Sequence, residues 1–213
     1  MARSHRDTIN RLLDRHGTTY AEQAGIRLND KPSPLYRLLV LATLLSTRIS
    51  ADIAVAAARE LTAAGYQTPQ RMRAATWQQR VDALGRGHYR RYDESTATRL
   101  EDGADLLLDR YRGDLRRLRD AADGVDDLLV RLQEFPGIGP TGAAIFAREA
   151  QGVWPELAPF FDRKAMDGAR RVGLPADPDR LDALVRPDER PRLAAALVRA
   201  ALDDSDDPLV ADQ

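Results

Sequence analysis

Cysteine is absent from the 213 residues. That excludes disulfide scaffolds, thiolate nucleophiles, zinc–thiolate sites and cysteine-ligated iron–sulfur clusters. The three histidines, His5, His16 and His88, stand too far apart in sequence to form a local metal motif, so no metal site is expected. Lysine is almost missing, with Lys31 and Lys164 the only two, which leaves few candidates for chemistry that needs an amine. Long apolar runs are missing as well. The longest, 35–45, is interrupted by Arg37 and falls short of the roughly 20 residues a membrane helix requires. The opening residues lack the apolar stretch of a signal peptide, which points to a cytoplasmic protein with no membrane partner. Excess positive charge is also lacking: 32 Lys and Arg face 33 Asp and Glu, a net charge of −1. A polyanion would therefore have to bind to cations segregated on one face.

What is present favours helices. Aromatics are only 6% and hydrophobic residues 43%; Ala, Leu and Arg dominate, and no segment shows sustained two-residue alternation rich in Val, Ile and Thr. The expected fold is all-α. Periodicity predicts helices at 3–16, 35–46, 51–64, 69–75, 77–84, 93–111, 125–134, 163–172, 179–185 and 189–202, several closed by glycine. The helix at 35–46 is apolar on nearly every side and so marks the centre of a core. Residues 31–34 read as a rigid connector, 112–124 as a short charged stretch, and the acidic end 203–213 as frayed.

Between two amphipathic helices lies Phe135-Pro-Gly-Ile-Gly-Pro140. Glycines at 137 and 139 permit backbone angles closed to other residues, and the following helix turns its free amides toward the turn, an arrangement that binds phosphate without formal charge. The same turn also serves simply to pack two helices. Asp162 precedes the predicted helix at 163–172, where it serves as an N-cap or as a carboxylate favoured by the helix dipole. Asp167 is a second carboxylate candidate, inside that helix. The stretch Arg86-Gly-His-Tyr-Arg-Arg-Tyr92 interleaves His88, Arg90 and Arg91 with Tyr89 and Tyr92, a pattern that suits phosphate contact and base stacking, or arginines snorkelling over a core tyrosine.

The run 132–144, the aspartate in Ala158-Pro-Phe-Phe-Asp162, and 38–46 followed by a polar turn and Asp52 together resemble the helix-hairpin-helix DNA glycosylase superfamily, in its endonuclease III-like branch. The similarity covers roughly residues 34–174. It implies a two-domain helical fold: a barrel-like domain at 32–150 with the hairpin at about 125–150, and a second domain from 1–31 plus 151–213. It further implies a DNA-backbone contact through Pro136, Gly137, Ile138, Gly139 and Thr141, with a monovalent cation held by hairpin carbonyls and no other cofactor. Valine at 137 or 139 would then weaken duplex binding with little loss of fold.

The resemblance assigns catalysis to Asp162, acting on a base flipped from lesion-bearing or mismatched double-stranded DNA. Arg48, at the tip of the loop 46–50, falls where relatives place a side chain that fills the gap left by that base; it also reads as an exposed loop arginine. Lys164 reads as a phosphate contact. Where bifunctional relatives carry a Schiff-base lysine this chain has Thr141, and it cannot build the four-cysteine iron–sulfur loop. The implied activity is a monofunctional glycosylase, working as a monomer. A non-catalytic DNA-binding relative and an unrelated helical interaction module are the alternatives.

Overall fold

The structure, a computed structural model, describes residues 4–203. Among them are thirteen α-helices and no strand. The chain divides into two compact units, a central one (Ala21–Phe146) and a terminal one (Met1–Tyr20 with Ala147–Gln213). The division differs from the sequence boundaries at 31/32 and 150/151, and side-chain ties account for the difference. Arg59 donates to the Gln23 carbonyl at 2.6 Å, Arg37 to the Gly25 carbonyl at 3.1 Å and Arg119 to Asp30 at 3.1 Å, which fasten 23–30 to the central unit. The end of the helix Pro140–Ala150 belongs to the terminal unit, where Glu149 accepts a bond from the Tyr20 amide at 3.0 Å.

In the central unit, α2 (Tyr20–Gln23) leads to α3 (Pro32–Leu45), whose residues from Leu35 to Leu44 are buried apart from the half-buried Arg37. The expected connector at 31–34 is largely the first turn of α3. Proline at the first helical position gives up no hydrogen bond, since that N–H has no intrahelical acceptor, so Pro32 starts the helix instead of preceding it. Around α3 are arranged α4 (Ala51–Ala63), α5 (Pro69–Ala74), α6 (Trp77–Arg86), α7 (Asp93–Tyr111), α8 (Leu115–Asp120) and α9 (Gly124–Leu132), with α3 against α4, α4 against α6, and α7 against both α5 and α6. The stretch expected to be merely charged contains α8, held by buried Leu115 and Leu118. Arg80 is fully buried; its guanidinium satisfies the carbonyls of Met72 and Ala75, at 3.0 and 2.6 Å, and pairs with Glu101.

The terminal unit is built from α1 (His5–His16), the end of α10 (Pro140–Ala150), α11 (Arg163–Arg171), α12 (Pro178–Asp182) and α13 (Arg190–Leu202). Helices α1 and α11 both pack on α13, burying Ile9, Leu12, Ala165, Ala169, Leu193 and Leu197. Arg199 stacks 4.4 Å over the Tyr20 ring and donates to the carbonyls of His16 and Thr18. Residue 3 of the first expected helix and the acidic end beyond Asp203 lie outside the described residues.

Candidate functional site

After α9, the chain turns at Phe135–Gly139 into α10. Ile138 donates to the Phe135 carbonyl at 2.9 Å, and Ala143 to the Gly139 carbonyl at 3.0 Å, which closes the hairpin. Phe135 and Ile138 are buried and anchor it, while Gly139, Pro140 and Thr141 are exposed. Gly137 has φ +90°, a left-handed conformation that glycine alone adopts easily. Gly139 does not share this conformation, contrary to the sequence expectation; a Cβ added there would meet no atom of the chain within 4 Å. The amides of the exposed Gly139 and Thr141 make no hydrogen bond among the described residues and are left for a ligand or water.

A third glycine fixes the hairpin to the core. A Cβ on Gly142 would lie 2.3 Å from Ser46 Oγ, so α10 starts pressed against the end of α3. Sequence reasoning passed over Gly142, although it lies one helical turn beyond Gly139. From Ser46 the contacts continue: Thr47 Oγ1 and the Tyr89 hydroxyl share a hydrogen bond at 2.7 Å, which joins the loop 46–50 to the loop 87–92. Tyr89 is fully buried in that contact. It is a core residue and offers no face for base stacking, a correction to the sequence reading. Arg86 is paired with Glu60 at 3.0 Å.

Arg48, His88, Arg90 and Arg91 remain exposed on these two loops. Arg91 lies 5.3 Å over the Tyr92 ring; the others have no ion-pair or hydrogen-bond partner for their side chains among the described residues. His88 has a left-handed backbone at φ +62°, a strained position for a residue with a side chain. Arg99, not singled out from the sequence, lays its stem against the hairpin, its Cδ 3.1 Å from where a Gly137 Cβ would stand, and its guanidinium is likewise unpaired. Free amides and unpaired cations thus meet at the end of α3. Asp52, Asp93 and Glu94 occupy the first turns of α4 and α7 close by, where the helix dipole favours negative charge.

In the terminal unit, Asp162 caps α11: its Oδ1 accepts from the Ala165 amide at 2.9 Å. Its Oδ2 accepts from Arg148 Nη1 at 2.5 Å. The Arg148 side chain is 3% exposed and that of Asp162 14%; Arg148 Nε has no partner. Gln151 clamps the segment before Asp162, donating to the Phe160 carbonyl and accepting from its amide, both at 2.9 Å. Asp167 is exposed on α11 and pairs with Arg170 at 2.8 Å, a surface contact of little energetic weight. Lys164 is exposed in the first turn of α11. No group of three His, Asp or Glu side chains among the described residues is arranged to hold a metal ion, and no described helix is long and apolar enough to cross a membrane.

No family model and no curated protein matches the chain. Solved structures do match. One is described as a trapped endonuclease III–DNA covalent intermediate in an estranged-adenine complex, another as a non-covalent endonuclease III–DNA complex. Each gives a TM-score of 0.50 at 17% identity, covering 92% of this chain and 85% of the other. At that identity the likeness defines the fold: the chain is all-α, with an architecture similar to that of endonuclease III.

Proposed function

We propose that the protein binds double-stranded DNA and excises a damaged or mispaired base as a monofunctional DNA glycosylase. The observation that carries DNA binding is the meeting, at one end of the central unit, of the unbonded amides of Gly139 and Thr141 with the unpaired cations Arg48, Arg90 and Arg99 and the exposed His88. Backbone amides at a helix start take a phosphate oxygen, and nearby guanidiniums take its neighbours. Amide contacts need no formal charge, so a net charge of −1, and Asp52, Asp93 and Glu94 nearby, do not bar a phosphate from the hairpin. The carbonyls of Pro136, Gly137 and Ile138 accept no hydrogen bond among the described residues, so they suit the monovalent cation expected at such a hairpin. An iron–sulfur cluster does not fit a chain without cysteine.

In this reading Asp162 acts on a flipped nucleotide. The C1′–N bond breaks with its electron pair leaving on the base. The carboxylate stabilises the oxocarbenium-like sugar, water forms the new C1′–O bond, and the proton it releases ends on the departing base. Thr141 carries a hydroxyl where a lyase would need an amine, so no imine forms and the strand stays intact. The protein works as a monomer, with Arg48 entering the gap left by the base and Lys164 contacting phosphate.

A second reading, a non-catalytic DNA-binding protein, is favoured by one observation: both oxygens of Asp162 are already engaged, by the α11 cap and by Arg148. Duplexes carrying single lesions or mismatches, incubated with wild type and Asp162→Asn and then treated with alkali, separate the two. Alkali-labile sites that vanish in the variant support the glycosylase. Binding without base release on every duplex supports the second reading, and a borohydride-trapped adduct would overturn the assignment at Thr141.

A further inference from the structure

The geometry points to a second anion site, independent of the hairpin: a groove in the central unit that takes a run of two or more phosphates. The groove lies where α3 and α5 begin and α7 passes into α8, has a volume of about 560 Å³, and is floored by Pro32, Pro34 and Pro69. It is separated from the hairpin by most of the length of α3, roughly 16 Å from Pro32 to Thr43 at the rise of an α-helix.

Most of its charge is unspent. Lys31, Arg112 and Arg117 line it, all exposed; none has an ion-pair partner among the described residues, although the field of Arg117 reaches Asp114. The one carboxylate in the lining, Asp114, is taken by Arg116, whose Nη2 and Nε donate to it at 2.7 and 3.0 Å and hold its carboxyl below the usual carboxylate range. Neighbouring Asp30 is taken by Arg119. Most other central-unit arginines that lie near carboxylates are paired, among them Arg80, Arg86, Arg110 and Arg131.

The backbone adds an independent sign. Arg112, at the end of α7, has φ +53°, and Arg112 and His88 are the only described non-glycine residues with positive φ. Glycine or asparagine fits such a helix end with less strain. A long cation thus stands over a groove, without an intramolecular partner, at a backbone cost that glycine would avoid. Three cations around proline faces suit phosphate oxygens in series, either the polyphosphate of a nucleotide or consecutive phosphodiesters of a nucleic-acid strand.

The test is binding of two probes, inorganic triphosphate and a fluorescent 12-nucleotide single strand, to the full chain and to Lys31→Gln, Arg112→Gly, Arg117→Gln and Arg170→Gln. Each of the three groove substitutions is expected to weaken probe binding by about tenfold. Arg112→Gly should do so with its melting temperature unchanged or raised, because glycine relieves the left-handed backbone, and Arg170→Gln, which removes an exposed cation of the terminal unit, should leave probe binding intact. Tighter binding of triphosphate than of the strand identifies a polyphosphate ligand, and tighter binding of the strand identifies a polynucleotide. Absence of binding by either probe, wild-type affinity in Arg112→Gly, unfolding of that variant, or equal loss in Arg170→Gln would each overturn the proposal.

Discussion

Arg148 Nη1 and Asp162 Oδ2 lie 2.5 Å apart, and the guanidinium is almost wholly buried. Residue 148 stands on α10 and residue 162 at the start of α11, so the pair ties two helices of the terminal unit through the carboxylate assigned the chemistry. Breaking a buried pair from one side leaves the other charge unmatched. Arg148→Leu is therefore expected to cost about 3–5 kcal/mol in urea denaturation. Arg148→Leu combined with Asp162→Asn, which keeps a cap, should cost less than Arg148→Leu alone. Additive losses would show that the two side chains act separately.

The two hairpin glycines should part company. Valine at 137 must adopt φ +90° and push on Arg99 and Thr43, a cost of about 2 kcal/mol or more in stability. That corrects the expectation of little loss of fold at this position. Valine at 139 has open space and should leave stability within about 0.5 kcal/mol. Its methyls would stand between the free amides and a phosphate, so duplex affinity should fall. Unchanged affinity in Gly139→Val would remove the hairpin from the interface.

Duplex affinity should fall as salt rises, with the logarithm of the association constant linear in the logarithm of salt concentration. Arg48→Gln and Arg99→Gln should each lower that slope by about 1. A slope unmoved by either change would place those arginines off the DNA.

Tyr36 is buried with its hydroxyl unbonded, and burial pushes its ionisation well above the ordinary tyrosine value. A raised value in the fold means that the unfolded chain loses this proton first. The stability tied to neutral Tyr36 is complete below about pH 10, the unfolded value, and is lost progressively as pH climbs above it. Tyr36→Phe should remove that alkaline loss. It should also leave stability at pH 7 unchanged or higher by about 1 kcal/mol, since an orphaned polar atom disappears. Denaturation at pH 7 and pH 11 measures both effects.

What the sequence disclosed depended on how local the cause was. Helix α7 is legible at 93–111 because its apolar residues keep step over five turns, and α3 because nearly all its faces are apolar. Pro32, Ser33 and Pro34 at its start read as a connector, because proline breaks a helix everywhere except in its first turn. Helix α8 hides because only two leucines mark it among charges. Tyr89 could be read as a stacking platform or as core, and only its bond to Thr47, forty-two positions away, decides. The hairpin and the Asp162 cap are short-range patterns and are visible as such. Arg148, Gln151, Gly142 and Arg99 owe their importance to contacts across loops or between helices, which no periodicity announces.

The terminal unit is assembled from the two ends of the chain, and α1 is covered by α13. On a ribosome the central unit has all its residues once Phe146 has emerged, and the hairpin turn is then complete. The apolar side of α1, with Ile9 and Leu12, must wait for α13, which begins only at Arg190 and is complete at Leu202. A chain stalled before Arg190 would carry a finished hairpin and an uncovered first helix, so making α13 is the step that removes an apolar surface open to aggregation.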